Sequence, residues 1–167
     1  YKVTGVHTCA LPIYVGGPAV QGYPEGMIEL TLRFPTAPKG LLPEPILSTG
    51  APGRGDTLFV QYDGLDHVVL GHDHIGGGAV MGPRLALDRQ ATHRVLIGMD
   101  TFYPPGTFPH RPRRFLQWDD RILLFGTAAL HPTRPEQIAI GHNFIGSSTA
   151  TKQLSAEIVG FRRVPFP

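Results

Sequence analysis

The chain is nearly free of cysteine. Cys9 is the only one in 167 residues, which excludes an intrachain disulfide framework and a zinc knuckle. Charge is sparse as well: Asp, Glu, Lys and Arg make up 17% of the chain, below the roughly 25% of an ordinary globular domain. The formal net charge of +2 is no footprint of a nucleic-acid binder, which would concentrate basic residues on one face. No apolar run approaches the roughly 20 residues that a membrane-crossing helix needs. Asn143 is the single asparagine, and twelve Arg stand against three Lys, a bias that reads as that of the source genome. No segment offers a capped, 3.6-period apolar run of ten or more residues. The best helical candidate, 85–99, contains Gly98 and the β-branched Val95 and Ile97, which favour strand.

The opening segment stands apart. "VTGVHTCALPI" (3–13) resembles the translation of a high-throughput sequencing adapter, with His7 where the adapter would encode Gln. Residues 1–13 are therefore expected to be non-native and are set aside, as a fusion scar would be. On this expectation the native N-terminus is missing and the absence of a leader carries no information. The thiol of Cys9 goes with the segment. Residues 14–167 are the right length for one domain with a core of its own.

What is present is alternation. "MIELTLRF" (27–34) puts Ile28, Leu30 and Leu32 on one face and Glu29, Thr31 and Arg33 on the other. "EPILSTG" (44–50), "DTLFVQY" (56–62), "HVVLGH" (67–72), "RLALD" (84–88) and "HRVLIGMD" (93–100) are further candidates. "RFLQW" (114–118), "RILLFG" (121–126), "EQIAIGH" (136–142) and "SAEIVGFRRV" (155–164) complete the series. Asp63-Gly64 and Asp119-Asp120 read as tight turns. Ten or so short strands with turn signals between them predict an all-β fold, an antiparallel β-sandwich of jelly-roll type in a single domain. The Pro-rich stretch 103–113 reads as a solvated loop carrying Arg111, Arg113 and Arg114.

The order of these pieces resembles the concanavalin A-like lectin/glucanase superfamily, in the style of laminin-G domains. A His-x-Val strand comes before the middle of the chain and an acidic hairpin follows. The end of the chain matches "Ile-Gly…Gly…Phe-x-Gly-x-Ile" in part, through Ile140-Gly141, Gly146, Leu154, Ile158 and Phe161. Ser155-Ala156 replaces the usual Gly, and Asp119-Asp120 replaces Asp-Gly. The likeness covers roughly residues 26–164. It implies a sandwich that hosts lectins, adhesion modules and glycosidases alike, often outside the cytoplasm and within longer chains. The glucanase members carry Glu-x-Asp-x-x-Glu on one strand; the five Glu here, at 25, 29, 44, 136 and 157, form no such pattern, so catalysis is not expected.

"GHDHIGGG" (71–78) concentrates the candidate chemistry. In a strand, Val68, Leu70, His72 and His74 share one face, while His67, Val69, Gly71 and Asp73 share the other. Three interpretations stand. The segment could be a strand end followed by a glycine turn. It could be a rim site where His72, Asp73 and His74 contact a sugar or a protein partner, with Trp118 as a stacking surface. It could be a cupin-like metal-dependent enzyme site built on His72 and His74, although the Glu that a cupin needs is missing. No cofactor is required, but calcium is possible because laminin-G-like domains often hold it; Asp63, Asp66, Asp73 and Asp100 are the available carboxylates, without a loop spacing to mark a site. "RGD" (54–56) matches an adhesion tripeptide but reads as a turn before a strand. The overall expectation is a non-catalytic module that binds a glycan or a protein, with a purely structural accessory domain as the alternative.

Overall fold

The alternating segments become antiparallel strands. The computed structural model describes residues 18, 20–37, 40–108 and 112–165, so segment 1–13 with Cys9, and Arg111, lie outside the described residues. Strands β1 (Met27–Arg33), β2 (Glu44–Ala51), β3 (Arg54–Tyr62), β4 (His67–His74) and β5 (Gly78–Ala86) come first. Strands β6 (Thr92–Met99), β7 (Arg113–Trp118), β8 (Arg121–Thr127), β9 (Ile138–Ile140) and β10 (Glu157–Val164) follow. Short 3-10 turns at Asp100–Phe102 and Pro135–Gln137 are the helical elements among the described residues, and no helix there is long and apolar enough to cross a membrane.

The strands form two five-stranded sheets, ordered β10-β1-β6-β7-β8 and β5-β4-β3-β2-β9. The fold is an all-β antiparallel sandwich. Its core lies between the sheets: Ile28, Leu30, Leu32, Leu58, Val60, Val68, Leu70, Val95, Ile97 and Leu116 are essentially without exposure. These are the alternating apolar residues of each strand, because a pleated strand sends every second side chain to the same face. The outer faces are held differently. Glu29, opposite the core, receives both Nε and Nη2 of Arg162 at 2.7 and 3.0 Å.

Two boundaries differ from the alternation. Strand β5 begins at Gly78, six residues before "RLALD", pairing Gly78 with His74. The glycines thus close a hairpin and also open its second strand, and Pro83 is tolerated because β5 is an edge strand. "EQIAIGH" opens as a 3-10 turn and only Ile138–Ile140 pairs, because Pro135 removes a donor and starts the turn. The Asp119-Asp120 hairpin is present, with Asp119 at φ 49° joining Trp118 to its partner Arg121.

Strand direction brings the β2–β3 turn, the β4–β5 turn, the end of β6, the start of β7 and the end of β8 to one end of the sandwich. The segment after β9 runs back over the outer face of its sheet. There Gly53 N–H donates to the Ile145 carbonyl at 2.8 Å, and Gly55 sits under the Ile145 side chain.

Gly71, in the centre of β4, lies directly beneath the ring of its register partner Phe59; a Cβ there would fall 2.4 Å from Phe59 Cζ. Gly71→Ala is expected to cost about 1–3 kcal/mol through overpacking, read from urea denaturation, and Phe59→Leu in the same chain should recover part of the loss.

Candidate functional site

At the loop end, three apolar rows terminate in polar side chains. Asp56 ends the inward row of β3 after Tyr62, Val60 and Leu58; His72 and His74 end that of β4; Arg114 ends that of β7 after Trp118 and Leu116. Asp56 is 1% exposed, and an isolated carboxylate at that depth would be very costly. It is not isolated. Its Oδ1 accepts from His72 Nε2 at 3.1 Å and from His74 Nδ1 at 2.8 Å, and its Oδ2 accepts from the backbone N–H of His131 at 2.7 Å. Arg114, on the opposite sheet, donates through Nη1 to His72 Nδ1 at 2.6 Å.

These contacts fix the protons. Arginine only donates, so His72 Nδ1 accepts, and its Nε2 bears the hydrogen given to Asp56. His74 likewise places its hydrogen on Nδ1, toward Asp56. The His131 ring stacks on His74 with centroids 4.2 Å apart and 14° between planes, while its Nε2 donates to the Ile75 carbonyl at 3.0 Å. Burial alone would raise the Asp56 carboxyl. The hydrogen bonds from His72, from the His131 backbone and from His74 outweigh it and hold the carboxyl below its ordinary 3.8. Burial lowers the Arg114 guanidinium, and the Asp56 charge opposes that.

Asp73 points to the other side of the same sheet. It is 7% exposed, and its Oδ2 accepts from Ser147 Oγ at 2.8 Å. Asn143, the single asparagine, builds the loop that delivers Ser147. Its Nδ2 donates to the Ser147 and Ala150 carbonyls at 2.7 and 2.9 Å, and its Oδ1 accepts from Ser147 N–H at 3.1 Å. Between this loop, Gly53 and the β4–β5 turn lies a cleft of about 280 Å³, lined by Asp73, His74, Gly76, Gly146, Ser147, Ser148 and Thr149 among others. A second hollow, about 190 Å³, lies against Tyr103, Phe108 and Leu130; its walls are chiefly proline and aromatic carbon.

The structure sorts the expected site residues. His72 and His74 do meet, but on Asp56. His72 has both ring nitrogens engaged, so a metal would have to displace Arg114 or Asp56 from it. Asp73 and His74 line the cleft together; His72 lies behind it. Trp118 is 4% exposed and stacks on His93 at 4.5 Å, which places it in the core and not on a ligand-facing surface. The four carboxylates considered for calcium do not converge. Asp63 holds Arg84 at 2.6 Å and Asp66 holds His67 at 2.7 Å at the far end, while Asp100 accepts from the Arg113 N–H at 3.0 Å. Among the described residues no three His, Cys, Asp or Glu side chains form a metal-holding group, so this donor set does not fit calcium. The RGD tripeptide lies inside β3 with its Asp fully buried.

Sequence reasoning did not single out Asp56, Arg114, His131 or Ser147 for the site. Alternation offered a signal for Arg114, which shares a face with Leu116 and Trp118. Comparison with family models, with curated proteins and with solved structures found no match.

Asp56→Ala should cost about 3–5 kcal/mol, since it strands buried donors and the Arg114 charge. The acid dependence has a definite sign. A carboxyl held low in the folded state stabilises fully above its unfolded value, and that contribution is lost as pH falls through the folded value. The stability gap between the parent chain and Asp56→Asn in denaturant titrations should therefore be widest at neutral pH and narrow below about pH 4.

Proposed function

We propose that the chain is a non-catalytic binding module that takes a glycan at the loop-end cleft. The observation that carries this reading is the cleft itself. A nearly buried carboxylate, an imidazole and small hydroxyl side chains converge there on glycine-rich turns, and rigid strands hold the two larger groups. Polar groups on a preorganised rim suit a hydroxyl-rich ligand. The strand order supports the jelly-roll form of the sandwich: β2 to β5 meander in one sheet, β6 to β8 in the other, and β1 lies beside β10. The resemblance to concanavalin A-like, laminin-G-like domains supports the same reading, together with a place in a longer extracytoplasmic protein. The absence of a Glu-x-Asp-x-x-Glu strand supports binding without catalysis.

Ser148 is exposed at the mouth of the cleft. Ser148→Trp should fill it, leave the melting temperature within about 1–2 °C of the parent chain, and abolish retention on a glycan array. Parent-chain binding that survives this substitution would move the site elsewhere, and an array with no bound glycan would remove the proposal.

A further inference from the structure

We infer that the cleft recognises a primary ammonium group, seated against Asp73, and so selects amino-bearing glycans over neutral ones; the choice of a glycan rests on the binding reading above, whereas the ammonium site does not. The argument is an inventory of donors and acceptors. Asp73 is 7% exposed, yet its hydrogen bond is the single one from Ser147 to Oδ2, and no cationic side chain among the described residues pairs with it. This contrasts with Asp56, whose charge is met by histidine donors and by Arg114 through His72. On the same outer face, in register beside Asp73, stand Thr57 and then Ser48, each without exposure and with a hydroxyl that meets no partner. His74 lines the cleft beside Asp73; its Nδ1 donates to Asp56 and its side chain is 19% exposed.

Two donors of the cleft are already committed. The Ser147 hydroxyl donates to Asp73, and the Thr149 N–H donates to Ser147 Oγ at 3.3 Å. No lysine or arginine lines the cleft. The Asp73 carboxylate thus faces the cleft without a cation of its own, which favours a ligand that brings hydrogens and positive charge. An ammonium carries three donors and no acceptor. Calcium would want six to eight oxygens, and Asp73 is the one carboxylate that lines the cleft.

The test compares chitosan, chitin and cello-oligosaccharides of equal length, which share one backbone and carry ammonium, acetamide and hydroxyl respectively. The parent chain should hold the chitosan oligomer at least about tenfold more tightly, and Asp73→Asn, which keeps an acceptor for Ser147, should erase the preference. In parallel, n-butylammonium chloride should shift the His74 imidazole NMR signals in the parent chain and not in Asp73→Asn, and calcium chloride should not displace it. Equal binding of the three oligomers would overturn the ammonium preference and leave the glycan reading standing. A butylammonium response without any glycan binding would keep the ammonium site and reject the glycan reading. No butylammonium response, or displacement by calcium at equal concentration, would overturn the inference.

Discussion

The Asp56 carboxylate is the interaction on which the loop end of this sandwich depends. It sits where three apolar rows run out and draws donors from β4, from the chain beyond β8 and, through His72, from β7 on the other sheet. A buried charge is tolerated only when its hydrogen-bonding capacity is filled. Four separate stretches of chain are therefore held to one geometry. His74 belongs both to this buried set and to the wall of the cleft, so the candidate site inherits its rigidity from a network centred on Asp56, which lies behind the cleft.

Much of the fold was legible because a strand records its buried face as period-2 alternation. Ile28, Leu30 and Leu32 could be placed inward from sequence alone, and so could the row through Leu58, Val60 and Tyr62. The end of β3 was not legible, since Arg54-Gly55-Asp56 resembles a surface tripeptide while its aspartate is the most constrained carboxylate of the site. Arg114 was hidden by its neighbours: Pro112 and Arg113 suggest a solvated loop, whereas the alternation through Leu116 and Trp118 points it inward. The early start of β5 was obscured by three glycines, which signal a turn more strongly than a strand.

The candidate site was only half legible. His74 and Asp73 were picked out by residue type, and both line the cleft. Their partners were not, because pairing across 74 or 75 residues leaves no local trace: Ser147 reaches Asp73, and the His131 backbone reaches Asp56. The lone asparagine was visible as a curiosity of composition. Its side chain shapes the loop that carries Ser147, a role that depends on three backbone groups lying within a few residues and on nothing the alternation could encode.

The pairing of β1 with β10 has a consequence for the chain during its synthesis. Met27 lies beside Val164 and Arg33 beside Glu157, so one edge of β1 stays open until nearly all of the described chain has left the ribosome. Ser147 and His131 also emerge long after the strands that they tie down. This sandwich therefore completes its fold only once β10 has emerged, by closing long loops late, and its nascent forms carry unpaired strand edges that chaperones would have reason to cover.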